Sequence, residues 1–365
     1  MDSLTQIVLG GSVAALAAPA RHRRAALVTG AVLGTVPDLD VLWFGLAGSD
    51  VVTTVTWHRG PSHSLPVLLL LALGLWWLGL RYSVAIRAAP RPWLLAIVLA
   101  LLTHPLLDAF TVYGTQLLWP WPMPPVMGST VFIIDPLYTV PLLLGVIVAW
   151  WRAPREVLAV APTRTATYGW QAATAGRNWL LGGLLLSTLY LGWSVVAKLR
   201  VDAAAKHSLA ALGLAQAPRF STPTPFNTLL WRVVVMAPDG YYIGDRSLVT
   251  DRGPMRWTLV PSDTPALAAV AGQVGVQRLL WFTHGFVGAQ RQTVDGRSEL
   301  VLSDLRMGLE PDYSFRYRVA RQGDDGQWAP LPLVLRVEEE GGDGRARHLR
   351  WVWQRIWQAE VPAVP

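Results

Sequence analysis

His104 and Asp108 stand four residues apart in a long apolar run. That spacing puts both side chains on one face of a helix, where two ligands of one metal ion would have to be. Asp38 and Asp40 follow Pro37, and both can point inward only where the backbone is extended or broken, as proline permits. His58 and His63 flank Arg59-Gly60-Pro61-Ser62, a turn-forming run able to bring two imidazoles to a common point. Asp135 opens a further apolar run. Asp38, His63, His104, Asp108 and Asp135 are therefore the candidate metal ligands, and Asp40, His58 and Arg59 the candidate catalytic groups. Imidazole together with carboxylate suits zinc, or else manganese or iron, better than calcium. A divalent ion so held lowers the pKa of bound water to about 7 and supplies hydroxide for attack on an ester or phosphoester. A plainer role competes at each position. His63, His104 and Asp108 could be buried hydrogen-bonded partners, Asp38 and Asp40 caps of a broken helix, His58 and Asp135 solvated or capping groups, and Arg59 the partner of an aspartate.

The elements that carry these residues are apolar. The 365 residues are 52% hydrophobic and only 15% charged, too apolar for an ordinary soluble enzyme of this size. Residues 1–198 hold nearly all the long uncharged runs, whereas 199–365 read as a water-soluble domain, so two domains are expected with a boundary near Lys198. The absence of cysteine excludes disulfide scaffolds, thiolate zinc sites and Cys nucleophiles. The arginines behind the net charge of +7 fall between apolar runs, which points to membrane topology and to no nucleic-acid partner.

A hydrocarbon core of about 30 Å asks for roughly 20 apolar residues per helix. Six stretches approach that length: 4–19, 25–46, 64–80, 92–112, 131–151 and 178–198. The first is short and rich in small residues and the second is interrupted by Pro37-Asp38-Leu39-Asp40, so either could be re-entrant. Gly30 and Gly34 are spaced for close helix contact, and Met1-Asp2-Ser3 lacks the basic region of a signal peptide, so no cleavage is expected there. Arg21, Arg23, Arg24, Arg81, Arg87, Arg91, Arg152, Arg155, Arg164 and Arg177 collect in one set of loops, against only Arg59 in the other. The amino terminus and the carboxy-terminal domain are then expected outside the cytoplasm. Under that topology every candidate site residue lies toward the outer face, joined by Thr5 and Gln6. Trp76, Trp77, Trp93, Trp119, Trp121, Trp150, Trp151 and Trp179 fall near the span ends as an aromatic belt.

The expected architecture is a mainly α membrane protein, a bundle of about six transmembrane helices followed by a small extracytoplasmic α+β domain with an antiparallel sheet. In that domain the pattern predicts a helix over 201–212, a hairpin of 229–236 with 241–243 around Pro238-Asp239-Gly240, and strands over 255–260, 279–283, 299–302, 313–319 and 333–338. Turns are expected at 323–326 and 341–344. His284 and His348 read as structural or exposed.

Met1-Asp2-Ser3-Leu4-Thr5-Gln6 with Gly10, Pro37-Asp38-Leu39-Asp40, His58-Arg59-Gly60-Pro61-Ser62-His63-Ser64, Thr103-His104-Pro105-Leu106-Leu107-Asp108 through Tyr113-Gly114-Thr115, and Ile134-Asp135-Pro136-Leu137-Tyr138 stand in this order. Over residues 1–150 the set resembles the inner-membrane-bound metal-dependent hydrolases of the YdjM-like family. The sequence departs from that family at Gln6, where His is common. The resemblance implies a multi-pass inner-membrane protein with a metal-dependent hydrolase activity. A more distant similarity to zinc phospholipase C and P1 nuclease implies phosphoester hydrolysis.

Three functions remain open. The leading one is a membrane-embedded hydrolase whose site faces the outer leaflet, where a lipid or lipid-linked phosphoester reaches it without leaving the bilayer. A non-catalytic scaffold or binding protein is the second, with the polar cluster only holding helices together. The third, an ion or proton transporter, needs ionisable groups spread across the membrane, and the third stretch supplies none.

Overall fold

The computed structural model describes residues 1–153, 174, 176–337 and 343–361. Arg155, Arg164 and part of the turn expected at 341–344 lie outside the described residues. The amino-terminal helices are α1 (Ser3–Ala17), α2 (Arg23–Thr35), α3 (Asp40–Leu46), α4 (Val51–Trp57), α5 (Leu65–Tyr82), α6 (Val84–Ala88), α7 (Pro90–Asp108), α8 (Pro136–Arg152) and α9 (Arg177–Ala210). Each of the six expected stretches overlaps one of the main helices. By length and apolarity, four of the described helical segments could cross a membrane: Ala20–Leu46, Leu65–Tyr82, Pro90–Asp108 and Arg177–Ala210. Ser3–Ala17 and Pro136–Arg152 are apolar but shorter. They still pack inside the bundle, α1 against α2, α7 and α8, and α8 against α9.

Local chemistry sets where these helices start. Asp2, Asp50, Ser64 and Asp135 each accept a hydrogen bond from a first-turn backbone N–H, satisfying a donor that a helix N-terminus leaves free. Pro136 sits in the first turn of α8, where its missing N–H costs nothing. Helix α2 ends at Thr35, and a short 3-10 turn over Val36–Leu39 carries Pro37 and turns the chain into α3. The break inferred from Pro37 is therefore present.

Helices α1 and α2 cross through glycine. A Cβ on Gly10 would lie 2.4 Å from the Gly30 carbonyl oxygen, one on Gly30 2.2 Å from the Gly10 oxygen, and one on Gly34 2.5 Å from the Gln6 oxygen. Backbone-to-backbone packing at this distance admits no side chain, so the spacing of Gly30 and Gly34 does mark a close contact.

Helix α9 continues well past the apolar stretch, so the chain passes Lys198 within one helix and the separate helix expected at 201–212 is its last part. Two four-stranded antiparallel sheets follow, β1 (Arg219–Pro223), β2 (Leu230–Ala237), β3 (Gly240–Ser247) and β4 (Thr258–Pro261) in sequential order, and β5 (Val287–Val294), β6 (Arg297–Asp304), β9 (Arg316–Gln322) and β10 (Trp328–Arg336) in the order β10-β9-β6-β5. The short pair β7 (Gly308–Leu309) and β8 (Asp312–Tyr313) lies between. Helices α10 (Thr264–Val270), α11 (Val274–Phe282) and α12 (Asp343–Trp357) complete the domain. The hairpin at Pro238-Asp239-Gly240 forms as expected, with Val235 opposite Tyr242. The strand expected at 279–283 is instead the end of α11. Val276, Leu279 and Phe282 recur every third residue and are all buried, a helical period that a four-residue apolar window cannot reveal.

Replacing Gly30 by Ala is expected to destabilise the bundle by about 1–3 kcal/mol, the usual cost of overpacking. Gly45→Ala, where an added Cβ meets nothing within 4 Å, should leave stability near wild type. Denaturant titration of the two variants in detergent compares them; equal midpoints would show that the α1–α2 contact is not tight.

Candidate metal centre

Four of the candidate residues converge. The ligand atoms of Asp38, His63, His104 and Asp108 all lie within 4.8 Å of one another. His63 Nε2 is 3.1 Å from His104 Nε2 and 3.3 Å from both Asp38 Oδ1 and Asp108 Oδ2. His104 Nε2 is 3.4 Å from Asp38 Oδ1 and 3.5 Å from Asp108 Oδ2. Four ligands held at 2.0–2.1 Å around a tetrahedral ion are separated by about 3.3 Å, so these distances fit a zinc-sized centre.

Proton bookkeeping gives the same answer. His104 Nδ1 lies 2.6 Å from the Gly34 carbonyl oxygen, which can only accept, so Nδ1 carries the proton. Ser62 Oγ donates to Asp40 Oδ2 at 2.6 Å, leaving it to accept from His63 Nδ1 at 3.0 Å. With both rings neutral, as metal ligation requires, the Nε2 lone pair of each would face the other ring and two carboxylate oxygens. Such an arrangement of electron pairs suits a cation, and a metal-bound imidazole characteristically donates its second N–H to a carbonyl or hydroxyl.

Neighbouring groups attend mainly to Asp108, which is fully buried. Gln6 Nε2 donates to its Oδ1 at 3.0 Å, and the Met1 amino group pairs with the same oxygen. Arg59 Nε lies 3.1 Å from Oδ2, Arg59 Nη1 donates to Thr111 Oγ1 at 3.0 Å, and the guanidinium sits 4.9 Å over the Tyr113 ring. Arg59 adopts φ of +62°, rare for a residue with a side chain, and this turn brings its N–H to Asp40. Burial raises the pKa of the Tyr113 hydroxyl, which donates to the Val55 carbonyl and stays protonated. Gln6 Oε1 is a buried atom without a hydrogen-bond partner, whereas Arg59 Nε and Asp108 Oδ2, which lack hydrogen bonds of their own, face each other as an ion pair.

Asp40 does not join the four. Its Oδ1 accepts from His58 Nδ1 at 2.8 Å, a pairing that directs the Nε2 lone pair of a neutral His58 away from Asp40. The His58 ring lies edge-on to His63 with centroids 5.6 Å apart. Nor does the structure bring Asp135 to the group. Its oxygens cap α8 at Leu137 N and accept from the Tyr190 hydroxyl at 2.8 Å, the capping role a carboxylate before Pro136 can equally fill.

Residues 1–201 match the model of the YdjM inner membrane protein family. The chain belongs to that family. All four converging residues lie in the YdjM-matched part, which ends inside α9. Inner membrane protein YbcI of Escherichia coli (strain K12) is 38% identical over 98 residues, which is 26% of this chain and 53% of the relative. The chain thus spans about half the length of that curated relative. No solved structure matches.

Outside the YdjM-matched residues lie contacts that the sequence did not announce. Arg306, paired with Asp304, donates from Nη1 to the Tyr113 carbonyl at 3.0 Å, and Arg278 donates from Nε to Thr56 Oγ1 at 3.0 Å. His284 Nε2 donates to the Pro125 carbonyl at 2.9 Å, a structural role of the kind expected for it. These contacts anchor α4 and the segment that follows α7. No motif marks them, because a lone arginine or histidine in a β domain has no pattern around it.

His104→Ala and Asp108→Ala should each lower the bound-metal ratio of the purified protein to background, while Asp135→Asn keeps it. Elemental analysis alongside circular dichroism reads both metal and fold. Full metal content in the first two variants would remove this site.

Proposed function

We propose that this membrane protein is a metal-dependent hydrolase that cleaves an ester or phosphoester of a lipid or lipid-linked substrate. The observation that carries the reading is the gathering of Asp38, His63, His104 and Asp108, with ligand atoms within 4.8 Å of one another and Asp38 partly exposed, beside a His–Asp pair. Zinc suits the N2O2 donor set best, with manganese or iron as alternatives. When bound, the ion would activate a water for attack and polarise the scissile oxygen.

The remaining chemistry belongs to the chain. Asp40 orients His58 so that Nε2 can take a proton from the attacking water and return it to the leaving oxygen. The Arg59 guanidinium, already facing Asp108, is the group able to hold an anionic phosphoester oxygen. Asp38 gives the site its opening, since its side chain is 25% exposed whereas those of His63, His104 and Asp108 are 0% exposed. Leu39, next to Asp38 in sequence, and Leu42 and Trp43 in the following α3 are exposed and apolar, which favours a substrate arriving from lipid. Residues 1–198 would form the hydrolase unit, and residues 199–365 a domain that covers its loops outside the cytoplasm.

The test uses purified protein in phospholipid vesicles, with a chromogenic phosphodiester and a headgroup-release assay run in parallel. Chelation should abolish turnover and zinc or manganese should restore it. His58→Gln should lower kcat by roughly 10²–10⁴-fold with metal content unchanged. A metal-loaded protein without turnover on either substrate, or an indifferent His58 variant, would refute the assignment.

A further inference from the structure

The face of α12 turned away from the β domain is apolar. Leu349, Trp353 and Trp357 recur every fourth residue and are 41%, 64% and 49% exposed, with the two indoles edge to face at 5.8 Å. Trp351, Val352 and Ile356, on the opposite face, pack against Leu230 and Leu309. The exposed stripe is therefore additional to the one that holds the helix in place.

Contacts along α9 fix its height. Tyr190 meets Asp135, which caps the cluster end of α8, so this level is the end of the bundle. One turn farther along α9, Trp193 Nε1 donates to Thr228 Oγ1 at 3.2 Å. Farther on, Lys198 Nζ donates to the Ser221 carbonyl at 2.8 Å, and Ser221 pairs with Val233 of β2. Strand β2 therefore runs away from the bundle, with Leu230 near it and Ala237 far from it. Ser247, paired with Leu230, donates from Oγ to the Ile356 carbonyl at 2.8 Å. The end of α12 that carries Trp353 and Trp357 thus stands at the level where the bundle ends.

Exposed arginines surround the stripe. Arg347 and Arg350 lie on α12, and Arg252 follows Asp251, whose carboxylate pairs with Arg355 of the same helix. We propose that α12 is an interfacial helix that lies on the surface of the bilayer spanned by α9, with Leu349, Trp353 and Trp357 entering the headgroup–acyl boundary and Arg347 and Arg350 contacting anionic phospholipid headgroups. Indole and arginine are both suited to this zone, each having an apolar body and a polar tip. Anionic lipid adds an attraction that salt weakens.

The absence of cysteine makes one introduced cysteine a unique probe. Spin labels at Trp353→Cys, Trp357→Cys and, at the far β2–β3 turn, Asp239→Cys would be compared in the full-length protein in phosphatidylcholine vesicles with and without phosphatidylglycerol. Trp353 and Trp357 are exposed, so neither substitution removes a packed core residue. The expected result is greater accessibility to lipid-phase oxygen than to an aqueous nickel complex at 353 and 357, and the reverse at 239. Phosphatidylglycerol should deepen both labels, and Arg347→Gln with Arg350→Gln should abolish that shift. Labels at 353 and 357 that behave like the one at 239 would overturn the proposal. So would labels shielded from both agents, which is the signature of a contact with another protein or a second copy. Labels at lipid depth that ignore both lipid charge and the arginine substitutions would overturn the headgroup contact.

Discussion

Two imidazole lone pairs and two carboxylate oxygens meet within one small volume of low polarity, and the rest of the amino-terminal domain is arranged around that meeting. Uncompensated, such a cluster is unfavourable, because like charges and lone pairs repel and water is not there to screen them. A cation at the centre would offset that repulsion. Arg59 and the Met1 amino group offset the charge of Asp108, Met1 at Oδ1 and Arg59 at the Oδ2 that also faces the histidines.

The demand for fixed ring orientation reaches far from the ligands. His104 is held by the carbonyl of Gly34, one of the glycines through which α2 packs closely on α1. The glycine contact between those helices therefore sets the position of a hydrogen-bond acceptor as well as a packing distance. His63 is held by Ser62, Ser62 by Asp40, and Asp40 in turn by His58, so one carboxylate links a ligand to the candidate base. That link requires both aspartates of Pro37-Asp38-Leu39-Asp40 to face inward, and the 3-10 turn made by Pro37 allows it.

Much of this was legible in the sequence because lipid makes every buried ionisable group conspicuous. The four-residue spacing of His104 and Asp108 and the proline before Asp38 identified three of the four converging residues, and the turn after His58 supplied the fourth. What the sequence could not separate was chemically identical groups with different neighbours. Asp38 reaches the histidines whereas Asp40, two residues on, pairs with His58. Asp135 looks the same on paper but spends its oxygens on a helix terminus and Tyr190. The β domain was readable where strands alternate around a Pro-Asp-Gly turn. It was misread at 279–283, where a short apolar run carries no period of its own. The contacts of Arg278 and Arg306 depend on tertiary structure alone.

Those two arginines have a consequence in time. Thr56 in α4 and Tyr113 after α7, which they hold, are synthesised well over a hundred residues earlier. During biosynthesis the helices can enter the bilayer and bring histidine and aspartate together before either anchor has left the ribosome. These segments gain their last fixed points only when the β domain has folded, so maturation of the site is tied to completion of the chain.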